Sequence, residues 1–256
     1  MQNSSNALVW RENARIISIV VLMALSVRYK ELIYLGVLWG LYLLLFGNIK
    51  RIPRDNNKMV YMIRMTLYFL PYAMPALFTC KISLSMNKDI FIGTVIAVIF
   101  YIAWVFWNRK GIMLILSDQM IAYSDKESRF NIVMKIYTMF GTAISEELFF
   151  RLFVLTLSAP FYILAPISII YFFLSHLLLP WGNAFTKRDH INQILIGSVN
   201  VVLFYSCNSA IPGIVLHLMI NFIKIIMYVK LIDRHFCRPE KYELLIERQL
   251  FDGKEL

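Results

Sequence analysis

Apolar residues fill this sequence in long runs that are separated by short clusters of charged side chains. A helix needs about 20 residues to cross the hydrocarbon core of a bilayer, and many of the runs have roughly that length. The pattern therefore predicts an all-α polytopic membrane protein, a bundle of about eight transmembrane helices. The predicted spans are residues 14–27, 32–49, 59–80, 89–107, 131–157, 160–181, 191–207 and 209–229.

Proline and turn residues predict where the longest apolar runs are interrupted. Two uncharged runs in the second half are each too long for one span, and turn residues at 158–160 and 208–212 predict the breaks. Pro71 and Pro75 fall within the third span. Because proline frees backbone carbonyls in a membrane helix, we expect the third span to be kinked.

Composition and charge support the membrane class and indicate an orientation. The chain is 59% hydrophobic and 16% charged, whereas about a quarter of the residues in a soluble domain are charged. The net charge of +10 does not indicate a nucleic-acid partner, because the basic residues lie in clusters between spans. Most of these clusters fall on the side that carries both termini, which predicts cytoplasmic termini facing anionic lipid.

The N-terminus and the cysteines carry weaker signals. Arg11 and Arg15 precede an apolar stretch that faintly resembles a signal peptide, but the basic residues and second apolar run that follow favour an uncleaved span. Cys80, Cys207 and Cys237 are odd in number and lack metal-type spacing. The odd number argues against a disulfide framework, and the spacing argues against a cysteine zinc site.

Six ionisable or strongly polar residues of the second half are predicted to be buried within the spans. Such residues are costly in lipid and are functional-site candidates by default. Each alone also has a structural reading, as a buried ion pair or a hydrogen bond between helices. Their occurrence together favours a site. The six are Glu146, Glu147, Arg151, His176, His217 and Asn221.

Helical spacing predicts which of these side chains form pairs within a helix and which one is left without such a partner. Glu147 and Arg151 are four residues apart and can form an ion pair on one face. Glu146 points about 100° away from Glu147, so it has no partner in its own helix. His217 and Asn221 are also four residues apart, and we expect them to point into one cavity.

Three short motifs connect these residues to a known family. EELFFR matches E-E-x-x-x-R, FFLSH matches F-x-x-x-H from Phe172 to His176, and HLMIN matches H-x-x-x-N. In this order, they resemble the signature of the CPBP (CAAX protease and bacteriocin-processing, Abi/Rce1-like) intramembrane proteases. The resemblance covers roughly residues 131–225 and implies an eight-helix bundle whose site lies inside the membrane and opens to the cytoplasm.

Peptide hydrolysis gives each residue a role, and the family's usual assignment is similar. Glu146 is the predicted general base, and His176 holds the same water or moves its proton. His217 and Asn221 are the predicted donors to the oxyanion. The supporting residues are Glu147, Arg151 and Phe172. The types of residue present favour a reaction without a cofactor. The open alternative is a zinc ion held by Glu146, His176 and His217.

The predicted organisation is four transmembrane helices plus an interfacial segment in residues 1–130, a catalytic core of four transmembrane helices in 131–229, and a cytoplasmic tail in 230–256. A short surface helix is expected in the tail, and the interfacial segment is 111–130. No H-E-x-x-H, G-x-S-x-G or G-x-G-D motif is present in the sequence, so other intramembrane protease chemistries are not indicated.

The predicted function is hydrolysis of a peptide bond in a short membrane-associated peptide, such as a pheromone, leader or bacteriocin-like precursor. The partners are then the peptide substrate and the lipid bilayer of a bacterial plasma membrane, without nucleic acid. The alternative is a non-catalytic membrane scaffold or bacteriocin self-immunity protein that binds a partner through the same fold. A proton-coupled transporter is a third interpretation, but the sequence does not predict the paired broken helices of known transporters.

Overall fold

The computed structural model describes residues 2–52, 57–81, 87–178 and 186–244. Within these ranges, the regular elements are helices and no strand is present. The α-helices are α1 (Gln2–Ser26), α2 (Leu32–Asn48), α3 (Lys58–Leu67), α4 (Leu70–Thr79), α5 (Lys88–Ile115), α6 (Asp118–Ala122), α7 (Arg129–Glu147), α8 (Phe161–Leu177), α9 (Lys187–Cys207) and α10 (Ile211–Ile232). A 3₁₀ turn covers Ile49–Arg51, and π turns cover Leu148–Phe153 and Asp233–Cys237.

The lengths and hydropathy of the helices fit a membrane protein. In the part of the chain that the structure describes, three helical segments are long and apolar enough to cross a membrane: Lys88–Ile115, Lys187–Cys207 and Ile211–Cys237. Leu32–Asn48 and Phe161–Leu177 are shorter apolar helices. The all-helical class is confirmed, while the count of eight spans stays a prediction.

The first predicted span is the second half of a longer helix. α1 begins at Gln2, and Arg15 lies inside it. The Arg15 guanidinium pairs with Glu12 at 2.6 Å and donates to the carbonyl of Leu178, after the end of α8, at 2.5 Å. It therefore satisfies one of the carbonyls that a helix C-terminus leaves without a partner.

The third predicted span is two helices rather than one kinked helix. α3 ends at Leu67 and α4 begins at Leu70, with Pro71 in its first turn, where a missing N–H costs no helical hydrogen bond. Pro75 lies inside α4 and cannot donate to the carbonyl of Pro71. The Tyr42 hydroxyl of α2 donates to that carbonyl at 2.7 Å. The proline thus creates the acceptor that joins α2 to α4.

Both predicted breaks in the second half are present. Pro160 is extended, with φ −59° and ψ 144°, directly before α8 begins. After α9, Asn208 adopts the left-handed conformation, with φ 47° and ψ 39°. Asparagine tolerates this conformation better than most residues, and it ends the helix. α9 consequently packs against both of its neighbours in sequence, α8 and α10.

The centre of the bundle is α7 with the π turn that follows it. α10 packs along α7, while α4, α8 and α9 contact the π turn. Phe149 and Phe150 in this turn are fully buried. The ring of Phe149 packs against Tyr42 and Tyr72, with centroids 5.2 and 5.4 Å away. This packing fixes the end of α7, where the two adjacent glutamates lie.

The predicted interfacial segment divides between two elements. Its first part extends α5, and the short helix α6 follows. Asp118 of α6 binds Lys230 of α10 at 3.1 Å and Lys241 of the tail at 2.8 Å. Residues 239–244 are helical, in agreement with the expected tail helix, and residues 245–256 lie outside the described part.

Candidate active site

Two adjacent glutamates end α7 at the point where the helix passes into the π turn. Single π turns inside α-helices occur frequently at functional sites. Glu146 is 6% exposed and Glu147 is fully buried. Because consecutive residues of a helix diverge by about 100°, the two carboxylates face different neighbours.

Glu147 forms the predicted ion pair with Arg151. The Arg151 Nε lies 3.0 Å from Glu147 Oε2, and both side chains are fully buried. The guanidinium also stacks on the ring of Phe172 at 4.4 Å and lies 3.4 Å from the carbonyl oxygen of Gly197. These contacts neutralise and hold one of the two acids inside the bundle.

His217 is a further partner of Glu147, and sequence reasoning did not predict this contact. His217 Nδ1 lies 3.0 Å from Glu147 Oε1. An ionised carboxylate only accepts hydrogen bonds, so this nitrogen carries the proton. Gly213 allows the close approach of α10, because a Cβ at that position would lie 3.1 Å from Glu147 Oε2. The ring orientation of His217 is therefore set by Glu147.

Glu146 faces two imidazoles that come from two other helices. Its Oε2 lies 3.8 Å from His176 Nε2 and 3.9 Å from His217 Nε2. This oxygen is buried and makes no hydrogen bond within the described residues. The two separations exceed a direct hydrogen bond but can be bridged by one water. The prediction that Glu146 would meet His176 agrees with this geometry.

The backbone of α8 sets the tautomer of His176. Its Nδ1 lies 2.9 Å from the carbonyl oxygen of Phe172 and 3.1 Å from Ser175 Oγ. Since a carbonyl only accepts, Nδ1 carries the proton and Nε2 presents its lone pair toward Glu146. The buried ring of Phe172 lies 4.8 Å from the ring of His176 and 6.0 Å from that of His217. Phe172 thus packs against both imidazoles.

Asn221 contacts the backbone of α7 rather than Glu146. Its Nδ2 donates to the carbonyl oxygen of Met139 at 3.0 Å. The sequence had predicted that Asn221 would point with His217 into one cavity. Both residues do face α7, but the structure binds one N–H of the Asn221 amide to a main-chain carbonyl. The amide carries a second N–H.

Asn200 in α9 is a buried polar residue that sequence reasoning missed. It is fully buried and lies beside Gly213 of α10, with its Cγ 3.4 Å from a Cβ placed there. Its amide is close enough to interact with Glu147, although it makes no hydrogen bond of normal geometry within the described residues. The signal was available, since Asn200 lies in an uncharged run where a polar side chain is costly.

The alternative that Glu146, His176 and His217 hold a zinc ion stays a prediction. A catalytic zinc needs three protein ligands, each about 2.0–2.2 Å from the ion. Among the residues that the structure describes, no group of three or more His, Cys, Asp or Glu is placed to hold a metal. The chemistry below is derived from side chains alone.

Comparison with known proteins gives one result for this region. Residues 128–223 match the family model described as type II CAAX prenyl endopeptidase Rce1-like. The matched segment contains every predicted site residue from Glu146 to Asn221. Comparisons with curated proteins and with solved structures gave no match. The predicted resemblance to the CPBP family, over roughly residues 131–225, is confirmed by this match.

Proposed function

We propose that this protein is an intramembrane endopeptidase that uses Glu146 to activate a water molecule, without a metal ion. The observation that carries the proposal is the difference between the two adjacent acids. Glu147 is neutralised by Arg151 at 3.0 Å, whereas Glu146 faces His176 and His217 at 3.8 and 3.9 Å. The match to a CAAX endopeptidase family supports protease chemistry at this site.

The first step is attack by water. The water lies between Glu146 and His176 and donates one hydrogen to the carboxylate and the other to the Nε2 lone pair. Glu146 removes a proton as the water oxygen bonds to the scissile carbonyl carbon. The carbonyl π electrons move to its oxygen, so the intermediate is a tetrahedral oxyanion.

The second step is collapse of the oxyanion. His217, doubly protonated, donates through Nε2 to the oxyanion, and Asn221 donates through its second amide N–H. Removing one such donor typically lowers kcat by about 10²–10³-fold. Glu146 then gives its proton to the leaving nitrogen, and the C–N bond breaks to release an amine and a carboxylic acid.

The proposal extends to substrate and location. The substrate class is a short membrane-associated peptide, such as a pheromone, leader or bacteriocin-like precursor, cut at the cytoplasmic side of a bacterial plasma membrane. Eight spans with both termini in the cytoplasm are part of the proposal. The concentration of Lys and Arg between the apolar runs of one side supports this orientation.

The test compares small peptides, by mass spectrometry, from cells that produce the wild type or Glu146→Ala. We expect a peptide whose precursor accumulates in the variant. This peptide, synthesised with a fluorophore and a quencher, is called the reporter peptide below. Purified wild type in detergent should cleave it, and Glu146→Ala should not. Glu127→Ala is the matched control, because Glu127 lies before α7 and pairs with Lys135 near the start of that helix, away from the site at its end.

Three outcomes would overturn parts of the proposal. If Glu146→Ala cleaves the reporter peptide at the wild-type rate, the enzymatic assignment is wrong. If no peptide differs, and Glu146→Ala and His176→Ala both keep a cellular immunity phenotype, the scaffold reading is correct. If chelation abolishes cleavage and added zinc restores it, the metal-independent step is wrong.

A further inference from the structure

Tyr72 of α4 is a residue from the first half of the chain that packs beside the candidate site. It lies outside the segment that matches the family, 128–223, and is 2% exposed. Its ring packs against Phe149 at 5.4 Å and Phe150 at 5.6 Å. These phenylalanines follow Glu146 by about one helical turn, so the Tyr72 ring covers the helix face that carries Glu146.

The hydroxyl of Tyr72 is a buried donor that lacks a hydrogen bond of normal geometry within the described residues. It is close enough to interact with the Ser175 hydroxyl and with the Glu146 carboxylate. Ser175 Oγ donates its proton to the carbonyl of Phe172 at 2.6 Å, so toward Tyr72 it acts only as an acceptor. Glu146 Oε2 is an acceptor that also lacks a hydrogen bond. A buried donor and a buried acceptor therefore face the same region.

Packing alone does not explain this position of the Tyr72 hydroxyl. The neighbouring ring of Tyr42 lies 4.9 Å away in the same aromatic cluster. The hydroxyl of Tyr42 nevertheless has a good acceptor, the carbonyl of Pro71 at 2.7 Å. Buried polar groups are normally hydrogen-bonded, and an exception at a candidate site points to a partner from outside the chain.

We propose that Tyr72 is a catalytic residue whose hydroxyl donates a hydrogen bond to the attacking water. This inference rests on the proposed function. A water has two hydrogens and two lone pairs, and Glu146 and His176 accept the hydrogens. One lone pair accepts from Tyr72, and the remaining lone pair is thereby directed at the scissile carbonyl carbon.

The same hydrogen bond strengthens during the reaction. As Glu146 removes a proton, the water oxygen gains negative charge, and a hydrogen bond to a charged acceptor is stronger than one to a neutral acceptor. Tyr72 keeps its own proton throughout, so no further acid or base is required. A donor aimed at developing charge favours the transition state over the ground state, which acts on kcat rather than on KM.

The experiment measures kcat, KM and the thermal midpoint for wild type, Tyr72→Phe, Tyr42→Phe and Glu146→Gln with the reporter peptide in detergent. For Tyr72→Phe, we expect kcat to fall roughly 100-fold with KM unchanged. Its thermal midpoint should stay the same or rise, because the ring remains and a buried hydroxyl without a partner is removed. Tyr42→Phe is the matched control and should lower the midpoint while keeping kcat.

Each alternative result has one meaning. Wild-type kcat in Tyr72→Phe, with Glu146→Gln inactive, overturns the Tyr72 assignment alone and leaves the proposed function in place. A fall in kcat that is matched by a lower thermal midpoint and by the same behaviour in Tyr42→Phe shows a structural role and also overturns it. If the wild type cleaves nothing, the proposed function and this inference fall together.

Discussion

Removing the Arg151 side chain tests how the bundle accommodates an acid that is fully buried. The pair with Glu147 spans 3.0 Å between two side chains with no exposed surface. Breaking such a pair by removing one partner typically costs about 3–5 kcal/mol, because an uncompensated charge stays buried. Arg151→Met keeps much of the side-chain volume. We therefore expect it to lower the free energy of unfolding by about that amount.

The double variant Glu147→Gln/Arg151→Met should recover part of this loss. It removes both charges, and the Gln oxygen can still accept from Nδ1 of His217, which lies 3.0 Å from the present carboxylate. The stack of Arg151 on Phe172, at 4.4 Å, remains lost and accounts for about 2 kcal/mol in a desolvated site. The double variant should consequently be more stable than Arg151→Met by roughly 1–3 kcal/mol.

Unfolding in mixed micelles, with denaturing detergent as the titrant, measures these free energies for the wild type, the two single variants and the double variant. The four values form a double-mutant cycle, which isolates the coupling between residues 147 and 151. If the loss in unfolding free energy of the double variant equals the sum of the two single losses, with a coupling below about 0.5 kcal/mol, the pair does not serve to neutralise a buried charge.

Two further predictions concern packing and a surface carboxylate. Gly93→Ala would place a Cβ 2.4 Å from Cys207 Sγ and should destabilise the protein by about 1–3 kcal/mol. Adding Cys207→Ala should restore much of the thermal midpoint. Ser158 holds the pKa of Glu31 below its usual value through two hydrogen bonds of 2.7 Å. This stabilisation is present above the unfolded pKa and is lost as pH falls through the folded pKa. Ser158→Ala should therefore lower the midpoint at pH 7, and its effect should shrink as pH falls through the folded pKa.

Local signals in the sequence were sufficient for much of the site. The cost of charge in lipid singled out Glu146 and Glu147, and helical spacing predicted which of them pairs with Arg151. Turn residues likewise predicted the breaks before α8 and before α10. These predictions succeeded because each depends on a few neighbouring residues. The family match over 128–223 covers the same region.

Contacts between helices could not be predicted from those signals. The approach of His217 to Glu147 depends on the rotation of α10 about its axis and on the space that Gly213 leaves. Asn221 contacts the main chain of α7 for the same reason. Tyr72 gave no signal, because a tyrosine in an apolar run is common and its neighbours are distant in sequence. Such contacts follow from the packing of several helices together.

Charge balance gives the two adjacent acids a common purpose in the proposed mechanism. With both glutamates ionised, Arg151 leaves the buried cluster with one negative charge in excess, and a single proton makes it neutral. On His217, that proton provides a donor for the oxyanion while Glu146 acts as a base. Glu146 takes a second proton from the attacking water and passes it to the leaving nitrogen. His217 Nε2 lies 3.9 Å from Glu146 Oε2, so the oxyanion donor and the base share one site, and the proton transfer adds no net charge to the membrane interior.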